Sequence, residues 1–156
     1  MEQKVNGNSE PGPVLIDGQL AMLRAILDIT IPAETGFPGA GDLGASQYVE
    51  RNVAKSPHFT RLLLDGLVQI EVESYATHKK NFTDLKVDQK IEVLRVVEEN
   101  ATAFFEILVR YCYNFYYTHP KVLKLLELES RPPQPKGYQL HTIDLSLLDK
   151  VTARGQ

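Results

Sequence analysis

Between Phe104 and Pro120 the chain reads FFEILVRYCYNFYYTHP, a run that holds Phe104, Phe105, Tyr111, Tyr113, Phe115, Tyr116 and Tyr117, more than half of all its aromatic side chains. Wound as a helix, the run keeps one narrow polar stripe, Glu106, Arg110 and Asn114, each four residues after the last. A helix that is apolar around nearly its whole circumference must be surrounded by other protein. A membrane-crossing helix needs about 20 uninterrupted apolar residues, and this one is shorter and more polar. The run is therefore the central helix of a bundle, a docking face for a partner, or both. Its Phe104, Leu108, Tyr111 and Phe115 side is spaced for cover by neighbouring helices. Its Tyr113 and Tyr117 side lies beside the polar stripe and is expected at the rim.

The rest of the chain supplies the helices that would do the covering. Residues 1–14 are polar, with Gly7, Pro11, Gly12 and Pro13, and read as a flexible leader without the apolar core or paired arginines of an export signal. Ile16, Leu20, Leu23 and Leu27 then recur at helical spacing, with Asp17 expected as the N-cap and Pro32 as the stop. Thr30 to Gly44 is rich in Gly and Pro and reads as a loop that is functional or wrapped over a neighbour. Asp42 is expected to cap a short helix carrying Ala45, Tyr48, Val49 and Val53. Ser56-Pro57 opens a long helix whose buried face should hold Leu63, Leu64, Leu67, Val68, Ile70 and Tyr75. Asn81-Phe82-Thr83 breaks it, and Val87 to Glu99 follows with Ile91, Leu94 and Val97 inward. Val122 to Leu128 reads as one further turn or helix, and Arg131 to Gly137 is too proline-rich for helix or central strand. The expected fold is all-α: a single bundle of about five helices over residues 15–128, with an extended Pro-rich segment, 129–156, packed on the bundle or on a partner.

Catalytic patterns are missing from this sequence. A formal net charge of -3 with no basic cluster argues against nucleic acid. The lone Cys112 excludes an internal disulfide and reads as a buried hydrophobe. His58, His78, His119 and His141 show no zinc-ligand spacing and read as surface or capping residues. His119 stands at a helix C-terminus, where the helix dipole favours an imidazolium. The glycines Gly36, Gly39, Gly41 and Gly44 do not have the spacing of a phosphate-binding loop. Glu71 with Glu73, and Glu98 with Glu99, cannot face each other on a helix as an acid/base pair, and Ser46 and Ser74 lack a local histidine. Tyr111, Tyr113, Tyr116 and Tyr117 read either as core residues or as interface anchors.

The order of signals resembles the gluconate 2-dehydrogenase subunit 3 family over about residues 16 to 150. The resemblance rests on Ile31-Pro32-Ala33, on Gly44-Ala45-Ser46-Gln47-Tyr48-Val49, and on Phe82-Thr83-Asp84-Leu85. It rests also on Phe104-Phe105 opening a helix that ends Tyr116-Tyr117-Thr118-His119-Pro120, and on Pro135-Lys136-Gly137-Tyr138. It implies a non-catalytic small subunit that accompanies a large FAD-dependent dehydrogenase of the glucose–methanol–choline type and helps it fold, stay soluble or be exported. Family members typically bring a twin-arginine signal, which Met1 to Val14 does not contain. As written, the sequence suggests the cytoplasm, or the periplasm if a signal was removed or a partner supplies one.

On this reading the chain binds no cofactor and inserts in no membrane, while FAD sits in the large partner. Tyr113, Tyr116, Tyr117 and His119, with Pro32, Phe37, Pro133 and Tyr138, are the expected partner contacts. The alternatives are a self-associating helical protein that uses the same aromatic surface, and a small-ligand carrier or helical enzyme with an aromatic-lined pocket.

Overall fold

The computed structural model describes residues 12–128, so Pro133, Tyr138, His141 and the Pro-rich segment lie outside the described residues. Six α-helices follow one another: α1 (Asp17–Thr30), α2 (Ala45–Val53), α3 (Pro57–His78), α4 (Val87–Asn100), α5 (Thr102–Thr118) and α6 (Pro120–Leu125). One turn of 3₁₀ helix, Phe82–Asp84, joins α3 to α4. The described residues contain no β-strand, and the fold is all-α. The aromatic helix α5 packs against each of the other five helices, which makes it the axis of the bundle. Among the described residues no helix is long and apolar enough to cross a membrane.

The ends of the helices follow local chemistry, with two corrections to the sequence expectation. Ser56 caps α3 as expected, its hydroxyl accepting from the N–H of Phe59 with Pro57 in the first turn. Asp17 is not the cap of α1. Ile16 holds that position, its N–H donating to Oε1 of Gln19, and Asp17 sits in the first turn, where its charge still complements the helix dipole. Nor does Asp42 cap α2. Gly44 does so at φ 89, a left-handed conformation that glycine adopts without steric cost, while Asp42 turns away to an ion pair with Arg24 at 2.9 Å.

The buried face of α3 also differs from the expected one. Leu63, Leu67 and Ile70 are buried, but Val68 and Tyr75 are 54% and 50% exposed. Gly66 and Ser74 take their place inside. Both are small enough to let neighbouring backbone and rings approach, and the Ser74 hydroxyl donates to the carbonyl of Lys80 at 2.7 Å just past the helix end. In α4, Val93 joins Leu94 and Val97 in the core, whereas Ile91 is only half-buried. Phe82, which sequence alone marks as a break, is a fully buried plug whose N–H is held by Glu71 at 3.2 Å.

Residues 12–16 add a strap that polarity alone did not reveal. Glu50 on α2 is 9% exposed, and its Oε1 accepts from the N–H groups of both Val14 and Leu15 at 2.9 Å. A buried carboxylate is tolerated there because two backbone donors replace its water.

Candidate functional site

The C-terminal half of α5 is where the bundle stops covering its central helix. Phe104, Leu108, Cys112 and Tyr116 form the buried edge of α5, four residues apart throughout. Tyr111 and Phe115 are half-buried. Tyr113 and Tyr117 are 41% and 51% exposed. One helical turn apart, their rings stack at 5.8 Å with 4° between their planes, forming a flat aromatic surface. Beside them opens a hollow of about 290 Å³. Pro32 and Phe37 from the loop and Tyr113, Tyr116 and Tyr117 from α5 line it, with Val122 and Leu126 closing the α6 side.

The loop wall of the hollow is held by three sets of bonds. Asp28 on α1 accepts from the N–H of Gly41 at 2.8 Å, clamping the loop to the helix. A Cβ at Gly41 would stand 2.5 Å from that carboxylate, so only glycine permits the approach. Gly39 is crowded by the same carboxylate, at 2.7 Å from its would-be Cβ. Glu34 and Phe37 exchange both backbone hydrogen bonds, at 3.0 and 2.9 Å, and fold the loop tip into a tight hairpin that presents Phe37. Finally, the Tyr116 hydroxyl donates to the carbonyl of Pro38 at 2.9 Å, tying loop to α5.

Two ionisable groups near this wall are shifted by their surroundings. Burial raises the Asp28 carboxyl above the usual aspartate value, opposed by its bond from Gly41. Burial also raises the Tyr116 hydroxyl, with Tyr117 and Glu34 adding smaller contributions in the same direction. Cys112 lies fully buried, and its thiol is pushed up to about 12, first by burial and then by the charge of Asp28. It is a packing residue with an unreactive thiol.

Several expected contacts thus come together, and others do not. Pro32, Phe37, Tyr113 and Tyr117 share the hollow with Tyr116, but Tyr116 is 5% exposed and spends its hydroxyl inside the fold. It supports the wall more than it presents a surface. His119 faces away, its ring 5.4 Å from Phe115 in a second aromatic group with Tyr48 and Tyr111. Its Nδ1 accepts from the N–H of Lys121 at 3.3 Å and opens α6. Sequence reasoning missed Glu34 and Leu126. Among the described residues, Glu34 is the one charged side chain lining the hollow. The Val122 to Leu128 signal, read as one further turn or helix, could have found Leu126.

Chemically the arrangement suits binding. It offers apolar walls, tyrosine hydroxyls and a single carboxylate, without a nucleophile and base in contact. Ser46 bonds to its neighbour Gln47 and Ser74 to Lys80. Among the described residues no group of three or more His, Cys, Asp or Glu side chains could hold a metal ion. Comparisons with curated proteins and with solved structures return no match. The family model described as gluconate 2-dehydrogenase subunit 3 matches residues 17–129, the whole bundle from the start of α1 onward, and the chain belongs to that family.

Proposed function

We propose that this chain is the non-catalytic small subunit of a flavin-dependent sugar or polyol dehydrogenase, and that it assists the folding and stability of the large subunit that carries FAD. Membership of the family supports a subunit role. The observation that carries the docking site is the stacked, exposed pair Tyr113 and Tyr117 beside the hollow of Pro32 and Phe37. Large aromatic side chains in a concave apolar setting are the usual anchors of protein interfaces. Each tyrosine that is buried on assembly removes apolar surface from water without a large loss of side-chain freedom.

The test is co-expression with a candidate large FAD-dependent dehydrogenase subunit, reading soluble yield, bound flavin and co-purification. Loss of the small subunit should lower soluble, FAD-loaded enzyme. Tyr117→Ala should weaken co-purification at least tenfold while leaving the isolated chain's melting temperature within about 2 °C, as expected for a surface change. A large subunit that is equally soluble, flavin-loaded and active alone would refute the reading.

A further inference from the structure

The hollow is walled by tyrosine and proline side chains, and the same chain carries a proline-rich segment. Beyond Leu128, the last described residue, the sequence runs Arg131-Pro132-Pro133-Gln134-Pro135-Lys136. Proline fixes φ near the polyproline II value, and that helix repeats every three residues. Docked in that conformation, Pro132 and Pro135, spaced three apart, would share one face. Grooves walled by aromatic rings take such segments because little conformational entropy is lost on docking. Here the wall holds Tyr113, Tyr116, Tyr117, Phe37 and Pro32, and among the described residues its one charged side chain is Glu34. The ligand carries the opposite charge, with Arg131 and Lys136 flanking its prolines.

Tethering makes the contact reachable. Leu126 itself lines the hollow. From Leu126 to Pro132 is a span of six residues, which can extend about 20 Å. A short tether holds its end at an effective concentration on the order of 1 mM. At that concentration, a free peptide Kd of about 0.1 mM is enough for roughly tenfold more docked than undocked chain.

We propose that the hollow between the loop tip, α5 and α6 binds the chain's own Arg131–Lys136 segment, prolines against the tyrosines and a basic flank toward Glu34. This does not rest on the dehydrogenase reading, since it concerns the isolated chain. If both hold, a partner that takes the tyrosine face must displace the segment.

Trypsin tests it on the full-length protein. The Arg131–Pro132 bond resists the protease, which leaves Lys136–Gly137 as the reporting bond, followed by mass spectrometry. In the intact chain this bond should be cut about tenfold more slowly than in a free peptide spanning residues 129–141. Tyr117→Ala and Glu34→Lys, both at exposed positions, should each restore the peptide's rate with helicity unchanged. The double change Pro132→Ala and Pro135→Ala lies outside the bundle and should restore it too. Equal rates in chain and peptide would overturn the proposal, as would protection that survives both Tyr117→Ala and the double proline change. Protection that grows with protein concentration would place the segment in a second copy and overturn the intramolecular assignment.

Discussion

Replacing Gly66 by alanine sets two physical effects of opposite sign on one position. Gly66 lies in the interior of α3, where alanine is favoured over glycine by about 1 kcal/mol through backbone entropy. A Cβ there would stand 2.3 Å from both Cγ and Cδ2 of Phe104 on α5. Phe104 is 2% exposed and packs edge-on against Phe105 at 5.1 Å, so its ring has nowhere to swing. Relief requires α3 and α5 to separate by about 1 Å or the ring to leave its rotamer, in an interior packed as tightly as an organic crystal. Overpacking of this kind costs about 1–3 kcal/mol, and so close an approach belongs at the upper end. The net expectation is a loss of about 2 kcal/mol, or about 4–8 °C in Tm for a domain of this size. Gly18 in α1 is the control: no heavy atom lies within 4 Å of its would-be Cβ. Gly18→Ala should therefore be stabilising by up to about 1 kcal/mol. Urea titration monitored by far-UV circular dichroism reads both, with m unchanged if only native stability moves. Adding Phe104→Leu to Gly66→Ala should recover part of the loss. A Gly66→Ala protein as stable as wild type would refute the close α3–α5 contact.

Three further expectations concern the clamp on the loop and the buried edge of α5. Asp28→Asn keeps an oxygen for the Gly41 N–H but removes ionisation. Because the folded state raises the Asp28 pKa, it binds that proton more tightly than the unfolded chain does, and its stability contribution falls as pH rises. Wild-type stability relative to Asp28→Asn should accordingly decline in urea titrations stepped upward from about pH 3.5, and a flat difference would refute the burial of this carboxyl. Cys112, buried and with its thiol pushed up to about 12, should react with a disulfide reagent at about pH 8 only at the rate of unfolding; rapid labelling of the native chain would contradict its placement. Tyr116→Phe removes the 2.9 Å bond to Pro38 and should cost about 1 kcal/mol. Amide exchange at Phe37 and Ala40 should speed up with it, and unchanged exchange would mean the loop is held without that bond.

The sequence by itself determined the class of fold and the rank of its elements. Periodic Leu, Ile and Val residues place the helices because the 3.6-residue turn stacks them on one face, and proline and capping chemistry end them within a residue or two. The aromatic density of 104–120 requires a central helix because so much apolar surface cannot face water. The rim position of Tyr113 and Tyr117 was legible for a similar reason, since they flank the polar stripe of Glu106, Arg110 and Asn114.

What remained hidden was every feature that depends on a second element. Val68 and Tyr75 carry the right pattern to be core, yet no described helix covers their side of α3, while Gly66 is inside because Phe104 comes from α5 to meet it. Asp42 is a good cap by local rules but has Arg24 within reach from α1. Glu50 looks like a surface residue until Val14 and Leu15 bring their N–H groups to it. The hollow itself is joined from a loop, α5 and α6, some of whose residues lie about 80 positions apart, as with Pro38 and Tyr116. Local sequence sets propensity and periodicity through short-range sterics and hydrophobicity. The choice of which apolar face is covered, and which polar group finds a partner, belongs to contacts made across the chain, and only the tertiary structure decides them.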